Sequence, residues 1–364
     1  MKMLESALPH LALPLAIGDF PRLDPERLGG MAQSAEAALL RQGESENTLR
    51  SYRSALRYWA AWFALRYRQP IALPVPEAAV IQFIVDHAER LDADGRPVTE
   101  MPPSLDQALV TEGYKGKLGA PALNTLIHRV AVLSKVHQVE DVTNPCGQPR
   151  VRELLSKTRR GYAKRGALPV KKPALTREPL EALLETCDSS LTGLRDRALL
   201  LFAFSSGGRR RSEVTAASME NTQRQGDGFV FTLQHSKTNQ FGADRPENEK
   251  PIIGKAAHAL TAWLAASKIV VGPIFRRVRR GDVIGEPLSA AAVRDIVKKR
   301  CALAGIEGAF SAHSLRSGFV TEAGRQGVPL GETMAMTGHT SVASVVGYFR
   351  DGRRDHPGLN LMED

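Results

Sequence analysis

Cysteine is scarce in this chain of 364 residues. The three cysteines, Cys146, Cys187 and Cys301, are odd in number, lie far apart and form no CxxC pair. This pattern supports neither a disulfide framework nor a cysteine zinc site. It is typical of a protein in a reducing, cytoplasmic compartment.

Long apolar runs and cofactor motifs are also absent. No run of roughly 18 apolar residues occurs, so we predict no membrane-spanning helix and no membrane partner. Glu5, Pro9 and Pro14 interrupt the first apolar stretch, which indicates a flexible arm over residues 1–30 rather than a secretory signal. The sequence has no P-loop, dinucleotide-binding glycine motif, HExxH or EF-hand loop, and its carboxylates do not cluster as in a two-metal nuclease. We therefore expect no metal and no cofactor.

Positive charge, in contrast, is in excess. The chain has 49 Lys and Arg against 39 Asp and Glu, a net charge of +10. Nucleic acid is the first candidate for a polyanionic partner, although an anionic membrane or a need for solubility also fits. Residues 151–172 alone hold eight Lys and Arg and one Glu, a net of +7. This segment is either a solvated tether or a strap that lies along phosphates.

The length predicts two domains, because one hydrophobic core rarely grows beyond roughly 250–300 residues. We predict a helical domain over 31–160, a basic linker over 161–173 and a second domain over 174–364. The predicted fold class is mainly α with a small antiparallel sheet.

Periodic apolar patterns predict four helices in the first domain. In TLRSYRSALRYWAAWFALR, one stripe for packing consists of Tyr52, Leu56, Trp59 and Phe63. The second helix begins at Pro76, the third is PALNTLIHRVAVLSKVHQ, and the fourth spans Pro149 to Gly161. Residues 92–119, which are rich in proline and glycine, are predicted to be mostly loop.

The second domain begins with two helices, LTREPLEALLETC and the apolar LRDRALLLFAFSSG. A half-buried strand follows, with Phe229, Phe231 and Leu233 on its inner side, and KPIIG is its predicted partner. We expect the remainder to be helical apart from a GPIFRRVRRGD insert.

Four short motifs carry the residues that suit chemistry. They are SSGGRRRSEV, a lysine in the turn after the strand, HSLR, and TGHTSVASVVGYF. Each motif alone is more often structural, and three adjacent arginines are too costly to bury together, so at least one must face water or an anion. Taken in order, the motifs resemble the signature of the tyrosine recombinases, or phage integrases. The candidate residues are Arg210, Glu213, Lys237, His313, Arg316, His339 and Tyr348.

The resemblance covers the second domain and extends weakly into the first, which is similar to the core-binding domain of Cre-like recombinases. It implies a site-specific DNA recombinase, bacterial, phage or plasmid encoded. Such an enzyme is a two-domain clamp that cleaves and rejoins DNA through a 3′-phosphotyrosine and a Holliday junction. The implied partners are double-stranded DNA with inverted-repeat sites and a homotetramer on two sites. The tail, with Leu359, Leu361 and Met362, resembles the Cre-like element that docks on a neighbouring protomer.

The resemblance assigns each candidate a role. Tyr348 is the nucleophile. Arg210 and Arg316 clamp the phosphate, since a guanidinium donates two parallel hydrogen bonds. The family pattern selects Arg210 rather than its neighbours, and Arg209 then stands where the pattern has an apolar residue. Glu213 orients the network or, alternatively, only stabilises a helix start.

Three further residues complete the implied site. Lys237 is the general acid for the leaving 5′-oxygen, because an ammonium group loses a proton more readily than a guanidinium. His313 assists proton transfer from the tyrosine. His339 hydrogen-bonds the scissile phosphate, at a position where Cre has Trp.

DNA reading is a separate prediction. The helix LSAAAVRDIVKKRCA packs through Val293, Ile296 and Val297 and presents two basic residues on its open side. Basic faces of the first domain and the 151–172 segment are similarly placed, although a solvated helix face is the alternative for each. The candidate DNA contacts are Arg50, Arg53, Arg57, Asn124, His128, Arg159, Arg160, Arg294 and Lys298.

Three other functions stay open at this level. A type IB topoisomerase would nick and religate DNA without a partner site. A catalytically idle DNA-binding regulator would keep the scaffold without the reaction, and a basic structural protein would not bind DNA at all.

Overall fold

The computed structural model describes residues 45–167, 173–233 and 248–352, with the backbone alone for 350–352. These residues are mostly helical with short antiparallel strands, so the predicted mainly α class is confirmed. The chain divides between Pro169 and Val170 into two compact units, called unit 1 and unit 2 below.

Some predictions lie outside the described residues. They concern the arm over 1–30, Lys237, the end of the linker over 168–172, and the tail residues Leu359, Leu361 and Met362.

Unit 1 is a bundle of helices with one small hairpin. Its elements are α1 (Glu46–Tyr67), α2 (Glu77–His87), β1 (Arg90–Leu91), β2 (Pro97–Val98), α3 (Pro103–Thr111), α4 (Leu123–Val139) and α5 (Pro149–Lys164).

The core of unit 1 is aromatic. Trp59 of α1 stacks on Phe83 of α2, with ring centroids 3.6 Å apart, and Trp62 meets the same ring edge-on. The predicted stripe is only partly right: Trp59 is buried, but Tyr52 is half-buried while Tyr58, outside the stripe, is buried. The buried side of α1 is therefore wider than a single stripe, because α2, α3 and α4 all pack around the helix.

The prediction that residues 92–119 are mostly loop holds for the larger part of the segment but missed two elements. The segment contains β2 of the hairpin and the helix α3. Pro103 stands in the first turn of α3, where its missing N–H costs nothing, and Leu105 and Leu109, four residues apart, are buried. Proline was taken for a helix breaker where it is a helix start.

Helix α5 continues three residues beyond its predicted end, to Lys164. Tyr162 is buried and its hydroxyl accepts a hydrogen bond from Glu89 N–H at 2.7 Å. Arg165 donates to Glu89 O at 2.9 Å and lies over the Tyr162 ring. These contacts fasten the end of α5 to unit 1, so the basic segment is helical as far as Lys164 and is not an extended strap there.

Unit 2 begins with the two predicted helices. Its elements are α6 (Arg177–Glu185), α7 (Leu191–Ser205), α8 (Arg211–Thr215), β3 (Thr222–Gln225), β4 (Gly228–Thr232), β5 (Glu249–Ile252), α9 (Gly254–Ser267), β6 (Arg276–Arg279), β7 (Val283–Pro287), α10 (Ala290–Leu303), α11 (Ala312–Arg325), α12 (Leu330–Thr337) and α13 (Val342–Gly352).

The sheet of unit 2 pairs β4 with β5 antiparallel, as predicted, and Phe229, Phe231 and Leu233 face the core. Two strand predictions fell short. A third strand, β3, pairs with the other side of β4, and the GPIFRRVRRGD insert contains β6, which forms a separate hairpin with β7. Its run of arginines masks the alternation on which a strand prediction depends.

Helix α11 is packed closely against two other backbone segments of unit 2. Gly318 lies against the chain that enters unit 2: a Cβ added there would stand 1.8 Å from Leu175 O. Leu175 N–H donates to Ser314 O at 2.8 Å. On another side Gly324 lets α13 approach, since an added Cβ would stand 2.3 Å from Phe349 O. Small residues thus let two backbones contact the helix that bears His313 and Arg316.

Candidate active site

The three consecutive arginines before α8 have three different environments. Arg209 is 1% exposed, Arg211 is exposed, and the Arg210 side chain is 28% exposed. Arg210 N–H donates to Glu213 Oε2 at 3.0 Å, and its Nη1 donates to Glu213 Oε1 at 2.6 Å. The expectation that at least one arginine faces solvent is confirmed. Arg209 donates through Nη2 to the backbone oxygens of Gly207 and Met336, whereas the Arg210 side chain keeps a partly exposed surface.

Arg316 of α11 contacts the glycine turn that follows α7. The Arg316 side chain is buried, and its Nη1 donates to Gly208 O at 3.2 Å. Gly208 has φ +66, and a Cβ there would stand 2.4 Å from Arg316 Cα. The second glycine of SSGG is therefore required both for its left-handed backbone and for its contact with α11.

His339 follows the end of α12. Gly338 adopts φ 68 and ends the helix in the left-handed conformation, which turns the next residue back toward α11. Arg316 Nε donates to His339 Nε2 at 3.3 Å, and His339 Nδ1 lies 2.7 Å from Thr337 Oγ1. Because Nε2 accepts, Nδ1 carries the ring proton and donates to Thr337.

The electric field of this cluster is strongly positive. Burial, followed by the charges of Arg210 and Arg209, lowers the pKa of Arg316 to about 9. Burial also lowers the pKa of His339 to about 4, with Arg316 and Arg210 as the next causes. His339 is therefore neutral near pH 7. Glu213 is the carboxylate that opposes these guanidinium groups.

His313 and Tyr348 stand on neighbouring helices. His313, in the first turn of α11, is exposed, and its ring centroid lies 6.4 Å from that of the half-buried Tyr348 on α13. Thr321 Oγ1 donates to Tyr348 O at 3.2 Å, while Val320, Val345 and Phe349 form a small apolar core between the two helices. The nucleophile candidate is thus anchored by its backbone and its neighbours, and its ring lies beside His313.

Unit 2 therefore brings together all the candidate catalytic residues that the structure describes; Lys237 lies outside the described residues. Sequence reasoning missed Gly208 and Thr337. A glycine pair was visible as a turn, but its contact with Arg316 joins residues 108 apart in the chain. No group of three or more His, Cys, Asp or Glu in the described ranges is arranged to hold a metal ion.

In unit 1, α1 and α4 present a polar cleft of about 360 Å³. His128 Nε2 lies 2.8 Å from Ser51 Oγ, so the two predicted DNA-contact helices are joined there. The side chains of the other predicted contacts, Arg50, Arg53, Arg57 and Asn124, are exposed. Sequence reasoning missed Arg129, which lines the cleft with its guanidinium carbon 3.2 Å from the Tyr58 ring centroid. Its position next to His128 was the available signal.

The remaining candidates lie on α5 and α10. Arg159 and Arg160 are exposed on α5. On α10, Val293, Ile296 and Val297 are buried as predicted, while Lys298 is exposed and Arg294 is paired with Asp295 at 2.8 Å. A buried ion pair joins α10 to α7: Arg300 Nη2 of α10 lies 2.7 Å from Asp196 Oδ2 of α7.

Known proteins resemble this chain in sequence and in fold. The model of the phage integrase family matches residues 173–353. An integrase/recombinase XerD homologue of Selenomonas ruminantium is 29% identical over 322 residues, which cover 86% of this chain and 84% of that protein. The tyrosine recombinase XerD of Chlorobaculum tepidum is 31% identical over 168 residues, 45% of this chain and 51% of that protein, so only about half of that relative is matched.

Among solved structures, a λ integrase dimer bound to a COC′ core site matches 89% of this chain and 77% of that chain, with a TM-score of 0.51 and 17% identity. At this identity the likeness concerns the fold.

The sequence matches define the class of protein as a DNA recombinase or integrase. With the family match over unit 2, the chain belongs to the phage integrase family of tyrosine recombinases, and its enzyme class is site-specific recombinase. The predicted family and enzyme class are confirmed, while the Cre-like subgroup stays a prediction. Among the helices that the structure describes, none is long and apolar enough to cross a membrane.

Proposed function

We propose that this protein binds double-stranded DNA at inverted-repeat sites and exchanges strands between two such sites. Tyr348 attacks the scissile phosphorus, its phenolic oxygen forms a bond to phosphorus, and the bond to the 5′-oxygen breaks. The product is a 3′-phosphotyrosine and a free 5′-hydroxyl. Attack of a partner strand's 5′-hydroxyl on that phosphotyrosine reverses the bond changes and builds a Holliday junction, so the reaction consumes no nucleotide.

Two protons move in this step. The phenol proton passes to His313, whose ring lies beside Tyr348. The departing 5′-oxygen receives its proton from Lys237, which follows β4 in the sequence.

Arg210 and Arg316 bind the nonbridging oxygens of the phosphate, where negative charge grows in the transition state. His339 supports Arg316 through the Nε–Nε2 hydrogen bond of 3.3 Å. A bound phosphate adds negative charge beside the imidazole and so raises the pKa of His339. Once Nε2 carries that proton it no longer accepts from Arg316 Nε, and it donates to a phosphate oxygen instead.

One observation carries the proposal: a buried guanidinium group has a hydrogen-bond donor that an anion could satisfy. Arg316 Nη2 is fully buried, yet it has no hydrogen-bond partner within the described part of the chain. An orphaned charged donor costs about 1–3 kcal/mol or more, and a phosphate oxygen satisfies it. The nearby Arg209 and Arg210, opposed by one carboxylate, add to the attraction for a dianionic or monoanionic phosphate group.

The remaining basic faces would hold the DNA. We assign sequence reading to α10 and to the α1 and α4 cleft, and phosphate contacts to the exposed arginines of α5. Four protomers on two sites, joined through their C-terminal tails, would form the active assembly, in the bacterial cytoplasm.

The nucleophile is tested on a nicked suicide substrate. The target is first mapped as the sequence that the protein protects in DNA flanking its own gene. Wild-type protein should form a covalent adduct with that substrate, Tyr348→Phe should bind it with unchanged affinity but form no adduct, and Tyr114→Phe should behave as the wild type. An adduct that persists in Tyr348→Phe would refute the assignment.

The rival functions give different results on plasmid DNA. A type IB topoisomerase relaxes a supercoiled plasmid that lacks the mapped site as fast as one that carries it. An idle regulator forms no adduct on any substrate. The recombinase instead requires the site and, with two copies present, yields exchanged products.

A further inference from the structure

Two buried cations meet at the carboxyl end of α12. Arg209 Nη2 donates to Met336 O, and Lys250 Nζ donates to Ala335 O at 2.8 Å. The exposed fractions of the two residues are 1% for Arg209 and 2% for Lys250. They reach α12 from different elements, since Arg209 precedes α8 and Lys250 lies in β5.

The carbonyl groups that they contact belong to the last turn of α12, where a helix leaves its final carbonyls without internal partners. The backbone N–H groups of Gly338 and His339 both donate to Met334 O, so they leave Ala335 O and Met336 O to other donors. A positive charge at a helix carboxyl end is also stabilised by the helix dipole. The two cations therefore complete the cap of this helix.

Burying two cations is costly, and neutral donors would cap carbonyl groups at lower cost. The position of the cap explains the charge. Only Thr337 and Gly338 separate His339 from Met336, whose carbonyl is capped. The His339 ring accepts a hydrogen bond from Arg316. Arg209 also lies 3.7 Å from Glu213 Oε2, so it joins the α12 end to the carboxylate that holds Arg210.

We propose that Arg209 and Lys250 are positioning residues of the recombination site, which cap the carboxyl end of α12 and so hold His339 against Arg316. Arg209 links that end to the Arg210 and Glu213 pair. Lys250 links it to β5, the strand that follows the segment with Lys237. The inference rests on the proposed function for its catalytic consequence, but the position of His339 is measured without DNA.

The charged groups that surround His339 come from three elements. Arg316 and His313 lie on α11, and Arg209 and Arg210 precede α8; all four disfavour the protonated imidazole. Glu213 of α8 opposes them through its contact with Arg210. Loss of Arg209 removes one positive charge and one cap, and loss of Lys250 removes a cap from the same turn.

The first arm of the test is an NMR titration of protein with 13C-labelled histidine rings, in which His339→Gln identifies the His339 signal. We expect the pKa of His339 to rise by about one unit in Arg209→Met and to rise less in Lys250→Met, because only Arg209 is among the charges that act on His339. The matched control is Arg211→Met, which changes an exposed arginine two positions away and should leave the titration unchanged.

The second arm measures single-turnover cleavage of the mapped site. The two Met variants at positions 209 and 250 should bind DNA as wild type and cleave it roughly ten- to hundredfold more slowly, as misplacement by about 1 Å does. Arg209→Lys, which keeps the charge and a donor, should recover part of the rate.

Wild-type values of both the His339 pKa and the cleavage rate in both Met variants would overturn the proposal. If a Met variant does not fold, Arg209→Gln and Lys250→Gln replace it, with the same expectations and the same overturning result. If wild-type protein itself cleaves no DNA, the proposed function fails, and the NMR arm still decides whether these residues position His339.

Discussion

At the scale of single residues, three adjacent arginines of identical chemistry differ in burial and in the groups that they contact. Arg209 is enclosed and contacts backbone carbonyls, Arg210 is partly exposed beside Glu213, and Arg211 faces solvent. A pattern of residue types selects Arg210, but only the contact of Arg209 with Met336, 127 positions away, explains why a second arginine is tolerated.

Another buried titratable residue governs stability in unit 1. His87 Nε2 accepts from Tyr58 OH at 2.7 Å, and its Nδ1 donates to Phe83 O. Burial lowers the pKa of His87 to about 3 from 6.5. Below pH 6.5 the unfolded chain binds a proton that the folded chain does not, so stability falls as the pH falls from 6.5 toward 3.

We predict that unit 1 loses about 2 kcal/mol from this residue between pH 7 and pH 5. Urea unfolding of the full chain, followed by the fluorescence of Trp59 and Trp62 in a Trp263→Phe background, measures it. His87→Gln should make the difference between the two pH values smaller by that amount, whatever its absolute stability. An equal pH dependence in both proteins would contradict the prediction.

At the scale of elements, α11 connects the start of unit 2 to the active site. The segment after the linker pairs with Ser314 O and presses against Gly318, two residues beyond Arg316. The helix that bears His313 and Arg316 is therefore fixed in part by its backbone contacts with Leu175.

Gly318→Ala should destabilise unit 2 by about 1–3 kcal/mol, because the added Cβ overlaps Leu175 O. In an open helix the same change stabilises by up to about 1 kcal/mol, and Gly331→Ala in α12, which has nothing within 4 Å of its added Cβ, is that control. Urea unfolding monitored by Trp263 gives both values. Equal stability of the two variants would show that α11 does not need the contact.

Sequence patterns predicted the elements whose buried residues follow a regular spacing along the chain. They failed for elements whose position depends on tertiary contacts. The long helices α1 and α4 were predicted because their buried faces recur with the helical period, and α7 was predicted as a buried helix because it is apolar nearly all round. Helix α3 and the β6–β7 hairpin were missed, since a proline start and a run of arginines hide the period.

At the scale of the whole molecule, most of the net charge of +10 is concentrated in residues 151–172, which carry +7. Much of the basic segment 151–172 belongs to α5, a helix fastened to unit 1 through Tyr162 and Arg165. Its exposed arginines thus stand in a fixed array, which suits contacts with successive phosphates.

We predict that the double variant Arg159→Ala, Arg160→Ala lowers the slope of log binding constant against log salt concentration by about 2, because each lost phosphate contact removes roughly 0.9. Gel-shift titrations on the mapped site at several salt concentrations measure the slope. The control is Arg90→Ala with Arg96→Ala, two exposed arginines already paired with Glu100 and Asp94. An unchanged slope in the α5 variant would remove that helix from the DNA interface.

The sequence alone determined the family, the mainly α class and the order of the candidate catalytic residues, because residue type and spacing along the chain are sufficient for those inferences. Tertiary structure alone decided that Gly208 O accepts a hydrogen bond from Arg316 and that Thr337 contacts His339. It also decided that Arg209 and Lys250 cap α12. Those relations join residues that are far apart in the chain or depend on burial. Hydrogen-bond geometry and the exclusion of water arise only when the helices have packed.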